Sequence, residues 1–317
     1  MYNLTINKSI MKRFFVALAA FGLSVSVAMA QDINAAVESF NAGAQALETN
    51  KVEALGHFRA ALEVVSALEG DDAADLTAKC KEVIPSTLLS IAKEQINDAH
   101  YDEALATLEE AKGVAAAYEA AAAAEEVATL VPNVYLRKGS TLLKEKDFAG
   151  AVAALEQVTI LTPDNGQAFL LYGQALLQSG ATDKAIAALT KANEMGQENA
   201  AKLLGTTYLK QGQALMKAGK NAEAIEAFEK SNSYAESGNA YMLMANALTK
   251  AGKSAKAIDA YKKYLELTPN AKNAADIIFT IAATAQKSGD KATAKEYYGK
   301  LAGTKYAAQA EAQLKTL

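Results

Sequence analysis

Two histidines, His57 and His100, and a single cysteine, Cys80, are the side chains here best suited to chemistry. A zinc site takes three or four such ligands at matched spacing, and two histidines without a third do not supply one. Cys80 lacks the matched histidine and acid that would activate a thiol, so it is expected to pack as a small apolar residue. The carboxylate pairs Glu109-Glu110 and Glu125-Glu126 invite an acid–base reading. Neighbours on a helix point about 100° apart, which makes these pairs solvated faces instead of one shared site. Gly252-Lys253-Ser254 echoes the end of a phosphate-binding loop, but Ala247 stands where its first glycine belongs and the segment joins two helices. No catalytic set, metal site or cofactor motif is read from these residues, and the expectation is a protein that binds and does not catalyse.

What could position a binding site is a repeat. Alanine recurs at seven matched places: Ala54, Ala104, Ala151, Ala185, Ala224, Ala257 and Ala294. Each opens a phrase with an aromatic or Leu four positions on, such as Ala185-Ile186 to Leu189 and Ala224-Ile225 to Phe228. The intervals are 50, 47, 34, 39, 33 and 37 residues. A period near 34 with insertions marks stacked helical hairpins. Hydrophobic content is 51% with aromatics at 7% and no Trp, so alanine, the best helix former, carries much of the apolar total.

With each alanine at position 20 of a 34-residue unit, the other positions fall into register. Position 4 reads Tyr135, Phe169, Tyr208 and Tyr241; position 8 reads Gly139, Gly173, Gly212 and Ala245; position 11 reads Leu142, Leu176, Leu215 and Leu248. These share one helical face. Gly180, Gly219 and Gly252 fall between the helices, where a turn needs positive φ or no side chain. Pro163 and Pro269 fall past the second helix, at position 32, while Pro85 and Pro132 fall at position 1. A missing N–H is harmless at a helix start, so none of the four is expected inside a helix.

On these residues the chain resembles the tetratricopeptide repeat family. The resemblance implies an all-α, right-handed superhelical solenoid of stacked antiparallel helix pairs. Its units lie near residues 37–68, 85–118, 132–165, 166–199, 205–237, 238–271 and 275–303, with a closing helix at 304–317. The match is fullest from Pro132 to Pro269. It departs at Val158, Tyr264 and Leu301, which stand where the family has a small residue. The alanine-rich stretches Ala73 to Ile84 and Val114 to Val131 are expected to form extra linker helices or extensions before Pro85 and Pro132 that alter the local superhelical pitch.

In this family, positions 2, 5, 9, 12 and 13 line the concave face. Position 5 reads Leu136, Leu170, Leu209, Met242 and Phe279; position 9 reads Ser140, Gln174, Gln213 and Asn246, then Ala283. An apolar row beside a row of hydroxyls and amides suits an extended peptide, because an amide both donates to and accepts from a backbone. The opposing reading is that the apolar row packs on neighbouring helices and the amides merely face solvent. Lys144, Lys217, Lys250 and Lys287 at position 13 would attract acid, but lysine in a last helical turn is already favoured by the helix dipole.

The first 30 residues read as an export signal: Lys12-Arg13, the apolar run Phe14 to Val27, and Ala28-Met29-Ala30 before Gln31. Cleavage after Ala30 predicts a periplasmic or otherwise exported product, not integral to the membrane. Loss of Lys8, Lys12 and Arg13 takes the formal charge from −4 to −7, a poor match for nucleic acid. One cysteine allows no internal disulfide. The expected function is an exported scaffold or adaptor for protein partners, associated with envelope complexes. The alternative is a binder of cell-wall glycan or its peptide stems.

Overall fold

The computed structural model describes residues 33–317, so the export segment read at residues 1–30 lies outside the described residues. The described residues form fifteen α-helices and no strand. They fall into two compact units that meet in sequence between Lys138 and Gly139.

The first unit contains α1 (Ile33–Ala46), α2 (Lys51–Val65), α3 (Asp71–Asn97), α4 (Tyr101–Ala117) and most of α5 (Ala121–Glu145). Helix α1 packs on α2, α2 on α3, and α3 on α4. The second unit begins in the last turns of α5. It continues with α6 (Phe148–Leu161), α7 (Gly166–Gln178), α8 (Thr182–Glu194), α9 (Glu198–Lys217) and α10 (Asn221–Tyr234). Then come α11 (Gly238–Lys250), α12 (Ser254–Leu267), α13 (Ala274–Lys287), α14 (Lys291–Gly299) and α15 (Ala307–Leu314). From α6 on, each helix packs on its successor, the arrangement of helical hairpins stacked in series.

The alanine register is the seam of every hairpin. All seven alanines are completely buried. Position 8 presses on position 24 of the partner helix. A Cβ built on Gly139 would lie 2.5 Å from Leu155, on Gly173 2.6 Å from Leu189, and on Gly212 2.6 Å from Phe228. In the first hairpin the residue facing Phe58 is Gly43, at 2.8 Å, so that turn is one residue shorter than the others.

The turn itself has one recurring conformation. The residue five before the alanine has positive φ at Ala99, Lys146, Gly180, Gly219, Gly252 and Gly289. Its backbone N–H reaches back to close the first helix, as Gly219 N–H does to Met216 O at 3.2 Å. Asparagine, serine or aspartate then starts several helices. Asn165 accepts from Ala168 N–H and Ser237 from Ala240 N–H, satisfying donors that a helix start leaves open.

Pro163 and Pro269 lie outside helices, but Pro85 and Pro132 correct the expectation drawn for them. Each sits inside one continuous helix, Pro85 in α3 and Pro132 in α5. Of the two readings, linker helix or extension, Ala73 to Ile84 proves an extension, the first half of α3, while Val114 to Val131 is divided between the end of α4 and the first half of α5. In α3 the buried stripe Ala73, Leu76, Cys80, Ile84, Leu88, Ala92 and Ile96 runs through the proline without a change of period. A mid-helix proline costs about 3 kcal/mol. Burying each large aliphatic side chain contributes about 1.5–3 kcal/mol, so the stripe prevails. Hydroxyls take up carbonyls near the break: Ser86 Oγ donates to Val83 O at 2.9 Å and Thr87 Oγ1 to Val83 O at 2.7 Å. Near Pro132, Asn133 Nδ2 donates to Thr129 O at 2.9 Å.

Candidate peptide groove on the first helices

The first helix of each hairpin in the second unit carries the proposed ligand positions: α7, α9, α11 and α13, with Ser140 in the last turns of α5. Leu136, at the same register position, lies before the division and is half-buried in the first unit.

The position-5 row is not an open apolar stripe. Leu170 is 4% exposed and belongs to the core, while Leu209, Met242 and Phe279 are half-buried against it. Met242 and Phe279 are covered by segments further along the chain. Asn273 Nδ2 lies 3.8 Å from Met242 Sδ. Tyr306 stacks on Phe279, with ring centroids 4.6 Å apart. The row is thus engaged in packing, Leu170 within the core and Met242 and Phe279 against later segments.

The position-9 row is different. Ser140, Gln174, Gln213 and Asn246 are all half-exposed. Tyr261 Oη donates to Asn246 Oδ1 at 2.7 Å, which orients that amide and leaves its N–H groups free to donate. Among the described residues, no hydrogen bond engages the side-chain amides of Gln174 or Gln213. These two therefore keep donor and acceptor capacity at one register position on successive first helices.

Tyrosines on the second helices are mostly consumed internally. Tyr298 Oη donates to Gln286 Oε1 at 2.8 Å, and Tyr264 Oη to Asn273 Oδ1 at 2.6 Å. Burial pushes the Tyr261 and Tyr298 hydroxyls up from the ordinary phenol range, so they are donors at neutral pH. The position-13 lysines Lys144, Lys217, Lys250 and Lys287 are exposed in last helical turns, where the dipole alone accounts for them.

Cys80 is completely buried, and burial pushes its thiol pKa up, which suppresses the reactive thiolate. His57 is half-exposed, 4.0 Å from Glu53, and His100 is exposed at the start of α4. Among the described residues no group of three or more His, Cys, Asp or Glu is placed to hold a metal. None of the described helices is long and apolar enough to cross a membrane.

Two surfaces escaped the reading of the sequence. Ile160 (65% exposed), Leu161 and Leu267 stand at the C-terminal ends of second helices, away from the ligand positions. In the first unit a cleft of about 390 Å³ opens between α1 and α3, with Ile33, Val37, Phe40 and Leu76 flanked by Asp72 and Lys79. A residue five before a seam alanine gives the turn away in sequence; an exposed helix end or a cleft between non-adjacent helices has no such periodic mark.

Residues 142–205 and 209–272 each match the tetratricopeptide repeat family. With the seam geometry above, these stretches are tetratricopeptide repeats, and such repeats form a helical scaffold of the kind that mediates protein–protein interaction. No curated protein matches the chain. Similar solved structures include a crystal structure of MamA protein, 22% identical, covering 54% of this chain and 89% of that one with a TM-score of 0.35. A MamA of AMB-1 is 24% identical, with 54% and 90% covered and a TM-score of 0.36. MamA from residue 41 to its end from Desulfovibrio magneticus RS-1 is 18% identical, with 54% and 92% covered and a TM-score of 0.33.

Proposed function

We propose that this protein is an exported adaptor that holds an extended polypeptide segment along the first helices of its second unit. The single observation that carries the reading is the pair Gln174 and Gln213, two amides without hydrogen-bond partners among the described residues, at one register position on α7 and α9. A peptide laid across them would exchange backbone hydrogen bonds with both, whatever its sequence. Leu209, half-buried one helical turn before Gln213, would give its side chains an apolar surface to rest on. Internal use of the Tyr261, Tyr264 and Tyr298 hydroxyls favours polypeptide over glycan, which would call for free aromatic faces. Export rests on the leader at residues 1–30, and the mature chain would then begin at Gln31.

A photo-crosslinking residue at position 213 in intact cells identifies the bound species, which is then titrated against variants. Gln213→Ala would leave peptide groups unpaired, weakening binding by about 1–3 kcal/mol if they are buried. Leu209→Asp would place a charge on the apolar surface and weaken it further. Binding unchanged in both variants, with circular dichroism showing both folded, would move the site off this face. For export, N-terminal sequencing of the bulk protein should read from Gln31; Met1 or Met11 there would refute cleavage.

A further inference from the structure

The last first-helix, α13, has its ligand positions occupied by the chain itself. Asp276, Phe279 and Gln286 stand at positions 2, 5 and 12 of their unit. Tyr306, at the start of α15, lays its ring on Phe279 at 4.6 Å between centroids and donates its hydroxyl to Asp276 Oδ1 at 2.8 Å. Lys305 pairs with the same carboxylate oxygen at 2.5 Å. Gln286 Nε2 donates to Gln313 Oε1 at 2.9 Å. An aromatic ring, a cation and an amide, carried by one short segment, thus satisfy a ring, a carboxylate and an amide on α13.

The segment is lightly held. Helix α15 has eight residues, of which Ala310 alone is fully buried, whereas α7 buries six of its thirteen. A helix this short is marginal without its neighbours. Gly303, with φ of 76°, precedes it and provides a pivot in the left-handed region. Leu314 and Leu317 rest partly buried on the core, and Lys291 Nζ donates to Leu317 O at 3.2 Å. The rest of what fastens it is three side-chain contacts and one stacked ring at the surface of α13. Lifting it would expose the Phe279 ring and strip Asp276 of both donors, so an incoming ligand must bring replacements for each.

We infer that residues 304–317 form a displaceable lid over α13, and that the polypeptide it gives way to presents an aromatic ring next to a basic side chain, as Lys305-Tyr306 does. The inference rests on the groove reading above and names the chemistry that reading leaves unspecified. The tethered lid acts as a competitor at high effective concentration, so the free ligand must out-compete it or bind where it has been loosened.

The test uses the full chain and a fluorescent synthetic peptide spanning Gly303 to Leu317 as probe. Tyr306→Ala removes the stacked ring and the hydroxyl; Lys305→Glu sets a second acid beside Asp276 without touching the core. Both should raise amide hydrogen exchange in residues 307–314 and bind the peptide at least tenfold tighter than the unaltered chain. A peptide with alanine in place of its tyrosine should not bind, and adding Phe279→Ala to either variant should abolish binding. Equal peptide affinity for variants and parent, or unchanged exchange in 307–314, overturns the lid. The outcome separates from that of the groove: Gln213→Ala and Leu209→Asp report on α9, which these variants leave alone. Peptide binding here with normal partner binding there would sink the groove and spare the lid site.

Discussion

The two units solve the same packing problem with different fastenings. In the first, ion pairs run between helices: Lys51 to Glu94, Arg59 to Glu110, Lys138 to Asp102, and Lys93 to Glu126 at 2.5 Å. Its helices are long, 27 residues in α3 and 25 in α5, and of its positive-φ residues Ala99 and Glu119 carry side chains while Gly70 does not. In the second, most ion pairs stay within a single helix, as Lys263 with Glu266. There the helices are joined by hydroxyls: Tyr261 to Asn246, Tyr298 to Gln286, and Ser231 Oγ to Gly205 O at 2.8 Å. Its turns from Gly180 onward use glycine. Exposed ion pairs contribute little and tolerate imprecise geometry, which suits long helices with irregular insertions. Buried hydroxyl bonds demand fixed spacing, which suits hairpins repeating at nearly constant length. The regular unit is also the one whose proposed ligand positions recur in register.

That contrast can be broken most forcefully at the seam, which both units share. Ala224→Leu or Ala185→Leu would force a large side chain into a fully buried contact and should cost about 1–3 kcal/mol in a thermal or denaturant melt. A matching loss is expected for Ala104→Leu in the first unit, since its alanine is equally buried. Unaltered melting at any of these positions would mean the seam is not where the register puts it.

The hydroxyl fastening comes next. Ser231→Ala removes a buried bond and should lower stability by about 1 kcal/mol. A loss no larger than that of a surface serine, such as Ser233→Ala, would remove the distinction between the units.

The turns test the comparison in the opposite direction. Ala99 and Lys146 hold a conformation that costs a residue with a side chain about 1–2 kcal/mol. Ala99→Gly and Lys146→Gly should therefore stabilise, by about 0.5–1 kcal/mol once the extra freedom of glycine in the unfolded chain is set against the relief. No Cβ contact would be made in the reverse change at Gly219, so a destabilisation by Gly219→Ala isolates the backbone cost.

The smallest effect belongs to the ion pairs. Lys93 and Glu126 are each roughly half-exposed, so Lys93→Ala should cost about 0–0.5 kcal/mol and nothing at about 1 M salt. A cost above about 1 kcal/mol that survives salt would show that the first unit depends on these pairs after all.

Much of the scaffold is legible before any coordinates are known. Seven alanines, the turn glycines and the placement of Pro163 and Pro269 each follow from local rules, and each holds in the structure. Pro85 and Pro132 depart from those rules for a physical reason. The rule that proline ends a helix is local, and it competes with an apolar stripe whose strength is only known once its burial is. The first hairpin shows the same limit, since Gly43 instead of Ala42 opposes Phe58 and a turn shortened by one residue leaves the alanine phrase unchanged.

The candidate site divides along the same line. By itself the sequence determines which residues share a face of each first helix, because helical period and the seam alanines settle that within a single hairpin. It therefore places Gln174, Gln213 and Asn246 in one row and Leu170, Leu209, Met242 and Phe279 in another. Which of these remains available is decided only by tertiary structure. Leu170 disappears into the core, Asn246 is claimed by Tyr261, and Met242 and Phe279 are covered by Asn273 and Tyr306. The physical reason is that availability depends on a second segment arriving from elsewhere in the chain, and no period within one helix records what will be laid over it.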